Sequence, residues 1–117
     1  MTPSERTLKA LRDRGCVVGR VEQFNPFSGH REDLFGFLDY IALDVPAQEI
    51  VGVQSTGTAF AAHRRKIVED RKDQAIAWLT CGGKIELWGW RKLKVKRGGR
   101  QVAYRPRVER IELEDLL

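Results

Sequence analysis

Two apolar, β-branched runs in close succession constrain this chain more than any other feature. They are Phe37-Leu38-Asp39-Tyr40-Ile41-Ala42-Leu43 and, after the turn Asp44-Val45-Pro46-Ala47, Glu49-Ile50-Val51-Gly52-Val53-Gln54-Ser55-Thr56. Nearly continuous apolar sequence of this length suits a strand covered on both faces. So short a turn suits antiparallel neighbours. From Thr58 to Cys81 the pattern becomes helical, with Phe60, Ile67, Val68, Ala75, Ile76 and Leu79 on one stripe. The cluster Asp70-Arg71-Lys72-Asp73 marks a break into two helices, and Gly82-Gly83 ends the segment. A third strand is predicted over Lys84–Trp90. The helical crossover lets that strand run parallel to Val51–Gln54.

The flanking segments complete an α-β-β-β-α-β-β order. Thr2, Pro3 and Glu5 form a capping box with proline at the first helical position. Leu8 and Leu11 make the apolar stripe of that helix, and Gly15 ends it. Cys16 to Glu22 reads as a strand, and Asn25 to Arg31 as a loop. Arg97-Gly98-Gly99-Arg100 is a hairpin turn, with Val102 to Arg107 returning. The expected architecture is α/β, a mixed β-sheet flanked by helices. At 117 residues with 42% hydrophobic content, residues 1–117 form one domain with a real core.

No apolar run approaches the roughly 20 residues needed to span a bilayer. The opening MTPSERTLKALRDRG has no secretory h-region, so a cytoplasmic location without membrane contact is expected. Cys16 and Cys81 lie far apart with no CxxC pair and read as reduced, half-buried thiols. With only the isolated His30 and His63 besides, no zinc site is expected.

Charge is concentrated. Between Arg91 and Arg110 nine basic residues face one acid, a local charge of +8, so with a net charge of +5 the rest of the chain carries −3. Such a field attracts polyanions and makes their binding salt-sensitive. A hairpin merely solubilised by lysines is the competing reading. Nucleic acid is preferred because Trp88 and Trp90, two apart on one strand face, can either stack bases or form a core ridge. Lys92, Lys94, Lys96, Arg97, Arg100 and Arg105, with Arg64 and Arg65 on the helix, are the candidate contacts. Trp78 reads as core.

Asp39 interrupts an apolar strand, where an ionised carboxylate costs several kcal/mol unless paired or metal-bound. Pairing with Arg31, a strand end in water, or a metal are the alternatives. The second run also ends in polar residues. Gln54 and Thr56 share one strand face and Ser55 the other. Oxygen ligands gathered there suit Mg²⁺ or Mn²⁺.

These residues carry a resemblance. Gly36-Phe37-Leu38-Asp39 and Ile50-Val51-Gly52-Val53-Gln54-Ser55-Thr56 resemble the two motif strands of the PD-(D/E)XK nuclease superfamily, including its Holliday-junction-resolvase-like members. Ala62-His63-Arg64-Arg65-Lys66-Ile67 and Leu87-Trp88-Gly89-Trp90-Arg91-Lys92 resemble small phage-associated relatives. The likeness runs from the first helix to about Lys92. It implies a restriction-endonuclease-like fold and metal-assisted phosphodiester hydrolysis of double-stranded or branched DNA, with a homodimer as in resolvase-like relatives.

Carried over, Asp39 is the first acid, Gln54 stands in place of the second, and Thr56 stands in place of the lysine. Glu5 matches the helix acid that often assists, although its capping role already explains it. Asp33 can replace the missing acid as a metal ligand, and Lys66 the missing lysine. Their plainer readings are a solvated loop residue and an exposed helix lysine. A metal-dependent endonuclease is the leading expectation. A catalytically silent nucleic-acid-binding module of the same fold is its rival, and an adaptor for an acidic protein is a third class.

Overall fold

The computed structural model describes residues 1–117. Helix α1 (Pro3–Asp13) precedes β1 (Cys16–Arg20), a small hairpin of β2 (Gln23–Asn25) and β3 (His30–Glu32), then β4 (Tyr40–Asp44) and β5 (Glu49–Thr56). Helices α2 (Phe60–Arg65) and α3 (Lys72–Thr80) flank a π-helical turn at Lys66–Asp70 and are followed by β6 (Lys84–Lys94) and β7 (Val102–Ile111). The main sheet runs in the order β1-β4-β5-β6-β7, and β2-β3 stand apart from it. Only the β5–β6 pair is parallel, with Gln54 beside Leu87 and Thr56 beside Gly89. The mixed α/β architecture expected from the sequence is the one the chain adopts, including the crossover. No helix is long and apolar enough to cross a membrane.

Local chemistry explains the first element. The Thr2 hydroxyl accepts from the Glu5 N–H at 3.1 Å, and the Glu5 carboxylate accepts from the Thr2 N–H at 2.8 Å. Satisfying two otherwise orphaned donors starts the helix, and Gly15 at φ +100° ends it. Leu11 buries on the sheet face shared with Tyr40, Val51, Val53, Trp88 and Trp90. The opposite face packs Ile85 and Leu87 against Phe60, Ile67 and Ala75. Gly52 lies on this second face, where an added Cβ would come within 2.5 Å of the Leu38 side chain.

Several boundaries differ from the expected ones. The first strand stops at Arg20, so Glu22 lies outside it. Asn25–Arg31 is not one loop, because turn residues mark only the tip and the chain on either side pairs across it. The run from Phe37 becomes strand only at Tyr40. Leu34 to Leu38 instead fold into a turn through Phe35 (φ 54°) and Gly36 (φ 81°), which buries Phe37 and Leu38 against the helices. Glycine is favoured at Gly36 because its φ of 81° is a backbone conformation that L side chains rarely adopt. The long helix breaks around Arg71 as expected, with the Arg71 N–H donating to the Lys66 carbonyl at 2.8 Å. Cys16 is buried and Cys81 exposed, so neither thiol is half-buried.

At the end of the sheet formed by the β4–β5 turn, Glu86 is 3% exposed between two arginines. Arg14 donates to it at 3.0 Å, Arg110 at 2.9 Å and the Trp88 indole at 3.1 Å. Burial alone would raise the Glu86 carboxyl, but the arginines outweigh it and hold it below the ordinary carboxylate range. Its stabilising contribution is therefore present above about pH 4.5 and lost as pH falls below. Glu86→Ala leaves both guanidiniums without this partner and is expected to lower stability by about 3 kcal/mol at pH 7, measured by urea unfolding.

Candidate functional site

At the other end of the sheet, the carboxyl end of the parallel pair, three carboxylates meet. One oxygen each from Glu22, Asp33 and Asp39 lies within 4.8 Å of the others. Glu22 follows β1, Asp33 follows the small hairpin, and Asp39 precedes β4. Asp39 is anchored by its backbone on both sides: its N–H donates to Val53 O at 2.8 Å, and its carbonyl accepts from Val21 N at 2.9 Å. Its side chain accepts from the Ser55 N–H at 2.9 Å. The Ser55 side chain points the other way and shares a 2.8 Å hydrogen bond with Thr7 of α1.

Gln54 lies on the same sheet face as the carboxylates and is 1% exposed. Its amide nitrogen donates to Asp33 at 3.1 Å and lies 3.5 Å from Asp39. Its Oε1 is buried without a hydrogen-bond partner, which is costly for an amide oxygen. Lys66 begins the π-helical turn and donates to Asp33 at 2.9 Å. A polar cleft of about 460 Å³ opens here, walled by Arg31, Glu32, Asp33, Gly36, Lys66 and Arg71.

The electrostatics follow from crowding. Burial, reinforced by Asp33 and Glu22, pushes the Asp39 carboxyl up to about 7 even though Ser55 opposes the shift. Burial also acts to raise Asp33, but hydrogen bonds from Asp39 and Lys66 outweigh it and hold Asp33 below its ordinary value. Asp39 therefore takes up a proton as pH falls through about 7, while Asp33 stays ionised. His63 lies in the field of Lys66 and Asp33, and burial followed by Lys66 lowers its pKa, which favours neutral imidazole.

The structure thus gathers Asp33, Asp39, Gln54 and Lys66. Asp33 is neither a bare solvated residue nor Lys66 a free surface lysine, since the two pair with each other. Arg31 does not neutralise Asp39; it lies 3.8 Å from Glu22 instead. Thr56 shares the face of Gln54 but takes no part in the cluster's hydrogen bonds. Glu5 is not among the clustered acids; its carboxylate caps α1. Glu22 is the member that sequence reasoning misses. Its only sequence signal is a polar residue directly after a β-branched run, the pattern also seen at Gln54.

The basic residues divide as well. Beyond Trp90, β6 and β7 continue as a two-stranded arm, pairing Arg91 with Arg105 and Lys92 with Tyr104. The arm leaves the same end of the sheet that carries the carboxylates, since it extends β6 past the carboxyl end of β5. Lys92, Lys94, Lys96, Arg97, Arg100 and Arg105 are exposed and form no ion pair. Arg65 is likewise unpaired, whereas Arg64 binds Glu109 at 2.7 Å and Asp115 at 3.6 Å. Trp88 and Trp90 are buried against each other, with centroids 6.1 Å apart, and the Trp90 indole donates to Thr7 at 2.8 Å. They form the core ridge, not a base-stacking platform. Trp78 is only partly buried, tied by its indole N–H to Lys84 O at 2.8 Å.

No family model, curated protein or solved structure matches this chain.

Proposed function

We propose that the protein is a divalent-metal-dependent DNA endonuclease, a variant of the PD-(D/E)XK pattern in which Gln54 replaces an acid and Lys66 replaces the motif lysine. The observation that carries this reading is the meeting of Glu22, Asp33 and Asp39 around one point, with buried Gln54 against Asp33 through its amide nitrogen. A donor set made only of oxygens fits Mg²⁺ or Mn²⁺. The three carboxylates would hold the ion, and Gln54, whose amide nitrogen faces Asp33, would offer its oxygen only by turning that amide over. A cation held there supplies Lewis-acid polarisation of a phosphate and lowers the pKa of water.

The chain's own groups do the rest. Asp39 gives up its proton when a cation binds, so affinity rises with pH through about 7. Lys66 carries positive charge at the edge of the polar cleft, where it would meet a phosphate. The arm and its root, where Arg91 and Arg107 line a pocket with Thr58, extend that positive field along the nucleic acid.

A catalytically silent DNA-binding module is the second reading. It is favoured by the Lys66–Asp33 ion pair, which already neutralises one carboxylate without a metal. One experiment separates the two. Under the endonuclease reading wild-type protein binds Mn²⁺ by calorimetry and nicks plasmid DNA in Mg²⁺. Lys66→Met keeps Mn²⁺ binding but slows nicking about 100-fold, the usual scale for losing one charge-stabilising group. Folded protein that binds DNA but neither Mn²⁺ nor nicks DNA establishes the silent module.

A further inference from the structure

Asp33 and Glu32 also wall a second cleft, of about 480 Å³, whose lining includes Arg20, Gln23, Phe24, Phe27 and Phe35. That volume is within the range of small-ligand sites. Phe27 is 99% exposed and Phe24 62%, an unusual placement for large apolar rings. Phe27 is not on a slack loop. The Asn25 carboxamide accepts from the Phe27 N–H at 2.9 Å and donates to Glu32 at 3.0 Å. The Ser28 hydroxyl accepts from the His30 N–H at 3.2 Å, closing the other side of the tip. The β2–β3 hairpin is therefore built to hold an aromatic ring in water next to the carboxylate cluster. Its surroundings are mixed: the amide of Gln23, and Arg20, which forms no ion pair.

Aromatic faces, an amide and the Arg20 cation match the parts of one nucleotide: base, base edge and phosphate. Stacking on an exposed ring requires a base whose own face is free. We propose that the hairpin stacks an unpaired nucleobase on Phe27 and Phe24, so that the protein prefers nucleic acid with a single-stranded segment beside the phosphate that Lys66 meets. This rests on the nucleic-acid reading above and specifies its substrate.

Binding of a duplex, and of the same duplex carrying a single-stranded flap with 2-aminopurine, tests it in Ca²⁺ buffer. Wild type is expected to hold the flap about tenfold or more tighter than the duplex and to quench 2-aminopurine emission. Phe27→Ala should lose that preference and the quenching while leaving duplex affinity unchanged, and Phe27→Trp should retain both. Because Phe27 touches little else, these variants fold. Equal wild-type affinity for flap and duplex, unaltered by Phe27→Ala, overturns the stacking proposal and leaves DNA binding itself standing. Failure to bind either DNA removes the nucleic-acid reading and this proposal with it. Self-association lost in Phe27→Ala, with both DNA affinities unchanged, assigns the hairpin to a protein contact and also overturns the proposal.

Discussion

Without metal at pH 8, Asp39→Asn is expected to be more stable than the wild type by about 2 kcal/mol, yet to lose Mn²⁺ binding and DNA nicking altogether. Folding raises the Asp39 carboxyl from an ordinary 3.8 to about 7, so the native state holds this proton more tightly than the unfolded chain. The associated stability is fully present below about pH 4 and is lost as pH rises through about 7. At pH 8 the wild type therefore carries an ionised, 6% exposed carboxylate beside Asp33 and Glu22. Asparagine removes the charge, and its carbonyl still accepts from the Ser55 N–H. The advantage should shrink as pH falls and vanish near pH 4. Saturating Mn²⁺ should invert the order, because a ligand bound only by the native wild type adds stability by mass action. Urea unfolding at several pH values, with and without Mn²⁺, reads all of this. Equal Mn²⁺ stabilisation of both proteins would sink the assignment of Asp39 as a ligand.

The second large effect concerns the arm. Replacing Lys92, Lys94, Lys96, Arg97 and Arg100 with serine should weaken DNA binding by at least about 100-fold at low salt. The slope of log K against log salt should flatten by about 0.9 for each phosphate that is no longer neutralised. Stability should hardly change, since these side chains are exposed and outside every ion pair. Arg64→Ser is the internal contrast. It breaks the Glu109 and Asp115 pairs, so it should lower stability while leaving the salt slope alone. An unchanged slope in the arm variant would mean that the arm only keeps the protein in solution.

By itself the sequence determined whatever depends on neighbours a few residues away. The capping box of α1, the alternation that puts Gln54 opposite Ser55, the helical crossover and the turn at Gly98-Gly99 are set by torsional preference and by periods of two or 3.6 residues. Asp39 and Gln54 were legible for the same reason, as polar residues that break an apolar period. Only the tertiary structure decided their company. Glu22 and Asp33 join Asp39 through the Val21–Asp39 backbone bond and the fold of the small hairpin, contacts that no local pattern encodes. Whether a charge is free is equally non-local. Arg64 looks like a free helix cation and Arg110 like an arm residue in sequence, but they are held by Glu109 and Glu86 across the fold. Trp88 and Trp90 have the spacing of a stacking platform, yet α1 covers their face and buries them. Period states that two side chains share a face; what packs on that face, and therefore whether it meets water, a metal or another helix, depends on long-range burial.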